Sequence, residues 1–262
     1  MNSRLSLCAL LTGAAALAAP AQAQYFDDVY VSVSGGLVFP SDSDNDGEFT
    51  SDFLTGQGTA IDAGTPLPAG TAVEWTTEFD TGYVINGAVG ARFQGFRGEV
   101  ELSYESADVD THEGVTVAGE LAIDGEDAAI LTGGVAPLGA SVGAVVADGQ
   151  GDISTLSVFA NGYYDILLDG PLTPYVGAGL GWGRTKVDYS PSDVEIIDDK
   201  DSGFTWQVMG GASYAVNPTT DLFAGVRYRS SSDAEVDSTL IPATLDVENK
   251  RVLGEVGVRF GF

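Results

Sequence analysis

Cysteine, histidine and basic residues are all scarce in this 262-residue chain. The single cysteine, Cys8, excludes a disulfide framework and any thiolate metal cluster. The single histidine, His112, removes most of the usual general-base and metal-triad chemistry. Lys and Arg number 11 against 38 Asp and Glu, a net charge of −27, so no nucleic-acid footprint exists. No apolar run reaches the roughly 20 residues of a membrane-spanning helix. The 128–147 stretch is uncharged but holds Gly133, Gly134, Pro137, Gly139 and Gly143, and reads as a loop. No residue set points to a bound cofactor.

What is present is glycine, at 35 positions, and a 10 % share of aromatics, which together suit an all-β chain with crowded backbones. Residues 1–23 read as an export leader. Arg4 supplies the positive start, Leu5 to Ala19 the apolar stretch, and Ala21-Gln22-Ala23 the small-x-small cleavage site. The remaining 24–262 would form one domain, exported and free of cysteine.

Eight segments in that part alternate with period two. They begin near Tyr30, Tyr83, Phe96, Ile153, Pro174, Phe204, Leu222 and Arg251. In the fifth, Val176, Ala178, Leu180 and Trp182 alternate with Gly177, Gly179, Gly181 and Gly183. An apolar face can be the core of a soluble sandwich or the lipid face of a barrel. Three features favour the barrel. Short connections (94–95, 167–173, 215–220) alternate with long ones (40–81, 105–152, 187–202, 230–247). Aromatics fall at both ends of the apolar faces, as interfacial girdles do. The chain closes on Val256-Gly257-Val258-Arg259-Phe260-Gly261-Phe262, an aromatic strand. The expected fold is an eight-stranded antiparallel transmembrane β-barrel with short periplasmic turns and long extracellular loops.

The glycine-alternating segment Tyr175–Gly183 and the terminal Phe262 resemble small eight-stranded outer-membrane barrels. The opacity-protein and OmpA-transmembrane-domain-like barrels, often labelled porin family, are the nearest in pattern. The resemblance implies an outer-membrane location in a Gram-negative-type envelope. It also implies that Phe260 and Phe262 are read by the barrel-insertion machinery.

Alternation assigns an interior to the charged residues. Arg92, Arg97, Arg227, Arg229, Arg251 and Arg259 should share the lumen with Glu99, Glu101, Asp165 and Glu255. Eight strands leave a bore that side chains can fill. A paired, structural network is therefore expected there, and a narrow channel for small solutes is the alternative. The glycines of the fifth strand should make room for Phe159 and Tyr163.

Windows 40–81, 105–152, 187–202 and 230–248 hold nine, ten, six and five acids, 30 of the 38, against Lys200 alone. Outer-membrane lipid, lipopolysaccharide and divalent cations are the partners this implies. Asp42-Ser43-Asp44-Asn45-Asp46-Gly47 matches the first half of a Ca²⁺ loop, but Phe53 stands where the closing Glu belongs; a solvated acidic turn is expected instead. His112, between Asp110 and Glu113, reads as a solvent-exposed loop residue rather than a catalytic base. The expected function is a non-enzymatic barrel with a role in surface display, adhesion or envelope integrity.

Overall fold

The computed structural model describes residues 28–262 apart from Glu120 and Val194. The expected leader, Met1 to Ala23, lies outside the described residues. Eight strands form a ring: β1 (Asp28–Pro40), β2 (Gly82–Phe93), β3 (Phe96–Val117), β4 (Gly151–Asp165), β5 (Leu172–Tyr189), β6 (Ile197–Asn217), β7 (Thr220–Ser231) and β8 (Lys250–Gly261). Each pairs antiparallel with the next. The ring closes where β1 meets β8, from Tyr30↔Gly261 to Pro40↔Arg251. Closure leaves no open edge inside the band, the condition hydrocarbon imposes on a sheet. The β2–β3 connection is two residues, Gln94 and Gly95, both at positive φ, which matches the strand twist of a tight hairpin.

The thirteen aromatics expected at the apolar strand ends all point outward and are exposed. Phe93, Phe96, Tyr164, Tyr214, Phe260 and Phe262 form one belt; Phe39, Tyr83, Tyr104, Trp182, Phe204, Trp206 and Tyr228 form the other. Between them the outward side chains are Val, Leu, Ile and Ala. From Phe96 to Tyr104 the strand covers about 27 Å, or about 21 Å of membrane normal at a tilt of about 40°.

Four strands run well past the upper belt, farther than their apolar alternation alone indicates. Facing does not change there, but polarity does. In β3 the inward side chains are Glu99, Glu101, Ser103 and Glu105, then Ala107 and Val109; the outward ones are Val100, Leu102 and Tyr104, then Ser106 and Asp108. In β5 the outward Leu180 and Trp182 give way to Arg184, Lys186 and Asp188, while the inward glycines give way to Val187 and Tyr189. The strand keeps its twist and register while the medium outside changes from lipid to water, so the greasy side moves from outside to inside.

The long connections are therefore not loose loops. Short strands Ser43–Phe49, Ala72–Phe79, Ala234–Asp237 and Ala243–Val247 join the upper part of β3 in a second antiparallel sheet. This cap has its own apolar core, built on Phe49, Val73, Val117, Ile123, Tyr189, Ile197, Leu245 and Val247. The uncharged stretch at 128–147 folds onto it. Ile130, from a single 3-10 turn (Ala128–Leu131), and Val142 and Val146, from a short helix (Val142–Val146), are buried in the core. Asp127 ties this segment down by accepting from the backbone N–H of Ala129, Leu138 and Gly139, which hold its carboxyl below the usual range.

Candidate functional site

Of the ten charged residues assigned to the interior, nine are buried within the ring and Arg92 is half-buried. Arg227 donates to Glu101 at 2.7 Å and to Glu255 at 2.7 Å. Arg229, with no exposed surface, reaches Glu105 at 2.9 Å and Glu101 at 3.5 Å. Arg97 pairs with Asp165 at 2.8 Å, and Arg251 pairs with Glu105. Near the short turns, Arg92 and Arg259 share Asp221. Glu99 accepts from Tyr30 and Tyr163, each at 2.8 Å. Ser34 and Asn86 complete the shell of Glu255.

Two members, Glu105 and Asp221, fall just outside the segments that apolar alternation delimits. They bring the carboxylates level with the arginines, six of each. Parity identifies them: Glu105 shares the odd, inward set of Glu99 and Glu101, and Asp221 that of Arg227 and Arg229. An equal count matters, since a buried charge without a partner costs several kcal/mol.

Aromatic rings and bare backbone fill the rest. A side chain at Gly177 or Gly181 would collide with Tyr163 or Phe159, so these glycines admit the two inward rings, as expected. The Arg97 guanidinium lies 4.3 Å from the Tyr163 ring centre, and that of Arg229 lies 4.5 Å from Phe159. The space left among Ser32, Asn86, Arg97, Glu101 and Arg259 is about 10 Å³. That beside Glu105 and Arg251 is about 20 Å³. Each is about one water's worth, at roughly 10–15 Å³ per molecule.

The cap corrects two expectations. His112 is not an exposed loop residue. It lies in β3, 3 % exposed, with Nδ1 2.8 Å from Thr77 Oγ1 and its ring 4.7 Å from Tyr189. Burial pushes its imidazole down to about 4, with the Asp148 carboxylate pulling the other way. Nor do Asp42 to Gly47 form a turn. Ser43–Phe49 is a strand, with Ser43 and Asn45 buried and Asp44, Asp46 and Glu48 outward. An extended strand lacks the sharp turn that wraps a Ca²⁺ loop around its ion.

The cap's outer face carries rows of directly opposed acids. Asp108, Asp152, Asp188 and Asp198 stand in register on four adjacent strands. Glu235, Asp246, Asp46 and Glu74 do so on four others. Lys186 bridges Asp188 and Asp198 at 3.2 Å each. Like charges directly opposite are unfavourable. Burial first, and then Asp188, Asp108 and Asp198, push the Asp152 carboxyl above its usual value against the pull of Lys186.

These shifts give a signed pH dependence. His112 holds its proton less well folded than unfolded. The cap should therefore lose stability as pH falls from 6.5 towards 4, by about 3 kcal/mol over the whole interval. Asp152, its carboxyl raised by burial and by neighbouring acids, acts in the opposite sense, weakened by its partial solvation. Cap unfolding followed by hydrogen exchange should show the loss, and a His112→Gln variant should show a flat or slightly rising profile. An unchanged acid-side loss in that variant would assign it to other groups.

A family model described as surface antigen matches residues 65–262. The chain belongs to this surface antigen family. With the closed ring and its two aromatic belts, this makes it an outer-membrane β-barrel surface protein. An uncharacterized protein of Brucella abortus (strain 2308) is 36 % identical over 84 residues, 29 % of this chain and 30 % of that protein. One of Brucella suis biovar 1 matches to the same extent. The chain thus aligns with under a third of the length of these curated relatives. Among solved structures, Neisserial surface protein A is similar at 20 % identity and a TM-score of 0.45, over 89 % of this chain and 97 % of that one. The outer membrane protein OprG of Pseudomonas aeruginosa is similar at 15 % identity and 0.49, over 91 % and 97 %.

Proposed function

We propose that this barrel is a non-enzymatic display scaffold, holding a folded acidic cap above the outer membrane and conducting nothing. One observation carries the reading: the lumen is filled by matched ion pairs and rings, with residual spaces of about 10 and 20 Å³ that do not amount to a bore. The cap supports it too, since connections that fold around a private core present a fixed surface. On this reading the chain is exported by a cleaved leader, inserted through its aromatic last strand, and surrounded by lipid and lipopolysaccharide.

Planar-bilayer recording of the refolded chain tests it. The expected record is silent. Steady, reproducible openings of one size would favour the narrow channel.

A further inference from the structure

The cap holds a cavity unlike those in the lumen. It has about 40 Å³ of free space, and its walls come from Val73, Val115, Val146 and Ile241, with Tyr189 and the neutral His112. Half-buried Trp75, Leu131, Ile196 and Leu240 stand on its solvent side. The volume equals roughly three water positions, enough for the tip of a branched aliphatic side chain. An apolar wall gives water no partners, so an apolar group is the better occupant.

The surroundings specify what should carry that group. The cap windows 41–81, 106–150, 188–199 and 232–248 contain no Lys or Arg, against nine, eight, five and five Asp or Glu. A second copy of this chain would bring the same sign of charge and be repelled. A basic partner would be drawn in.

We propose that this pocket docks a basic peptide segment of a partner protein, with one aliphatic side chain entering between Trp75, Leu131 and Leu240 and flanking Lys or Arg side chains held by the acidic surface of the cap. The proposal rests on the display reading, and names the partner chemistry that the displayed surface accepts.

The test uses the full chain in uncharged detergent with Trp182→Phe and Trp206→Phe, so that Trp75 alone reports. The probes are the peptides Lys-Lys-Leu-Lys-Lys and Lys-Lys-Ser-Lys-Lys, equal in charge. The leucine peptide should bind about tenfold tighter and shift Trp75 emission to the blue. Both should weaken as salt rises. Leu240→Ser should bring the two affinities within about threefold while the folded band in unheated gels persists; if that variant misfolds, Leu131→Ser serves in its place. Equal affinities for the two peptides, no binding at low salt, or equal binding of Glu-Glu-Leu-Glu-Glu would each overturn the docking proposal. Those failures in a silent bilayer leave the display reading standing. Channel openings alongside intact leucine discrimination would instead remove only the display reading.

Discussion

Replacing Glu101 with Ala should destabilise the barrel by about 3–5 kcal/mol. Glu101 is 1 % exposed and receives Arg227 and Arg229 from β7 across the lumen, and also Asn161. Removing it leaves two buried guanidinium groups short of a counter-charge in a space water can barely enter. The loss comes from that residue of unpaired charge, more than from the pair's own worth. Replacing the set Glu101, Arg227, Arg229 and Glu255, two charges of each sign, with apolar residues of similar size should therefore cost much less than the single change. Urea unfolding in lipid, followed by the shift between folded and unfolded gel bands, measures both. A Glu101→Ala cost under about 1 kcal/mol would mean that water reaches these arginines freely.

Leu245→Ala should cost about 2–5 kcal/mol, confined to the cap. Leu245 is 1 % exposed and lies in the cap core with Phe49, Val73, Val236 and Val247. Its strand pairs with Ser43–Phe49 and Ala234–Asp237, not with the ring. Amide exchange should accelerate in 43–49, 234–237 and 243–247, with β2, β7 and β8 still protected. Acceleration spread equally through β1 to β8 would show that cap and barrel unfold as one unit.

The barrel was legible because lipid and lumen write opposite polarities onto successive residues. Val176-Gly177-Ala178-Gly179-Leu180 cannot be mistaken for a helix face, and the strand it predicts is the one observed. The ten interior charges followed from the same parity. The cap was less legible for two physical reasons. Ser43, Asn45 and Gly47 face its interior, so the strand carrying them lacks the apolar alternation that marks a half-buried ribbon. And where a strand leaves lipid for water its pattern inverts, so Val100-Glu101-Leu102 and Ala107-Asp108-Val109 share one facing but look like opposite phases. Reading that inversion as a boundary, rather than as the end of a strand, would have carried β3 past Tyr104 and taken in Glu105; His112 is buried because the strand shifts phase by one residue between Val109 and Thr111, which no alternation signals.

Quenching by lipids brominated on their acyl chains tests most directly where lipid ends and water begins. Three variants keep one tryptophan each: Trp182 and Trp206 on the outer face of the ring, and Trp75 in the cap. Trp182 and Trp206 should lose most of their emission in brominated bilayers, and Trp75 should be unaffected. Unquenched Trp182 and Trp206 in the folded chain would contradict the lipid-facing ring, and a quenched Trp75 would contradict a cap standing in water.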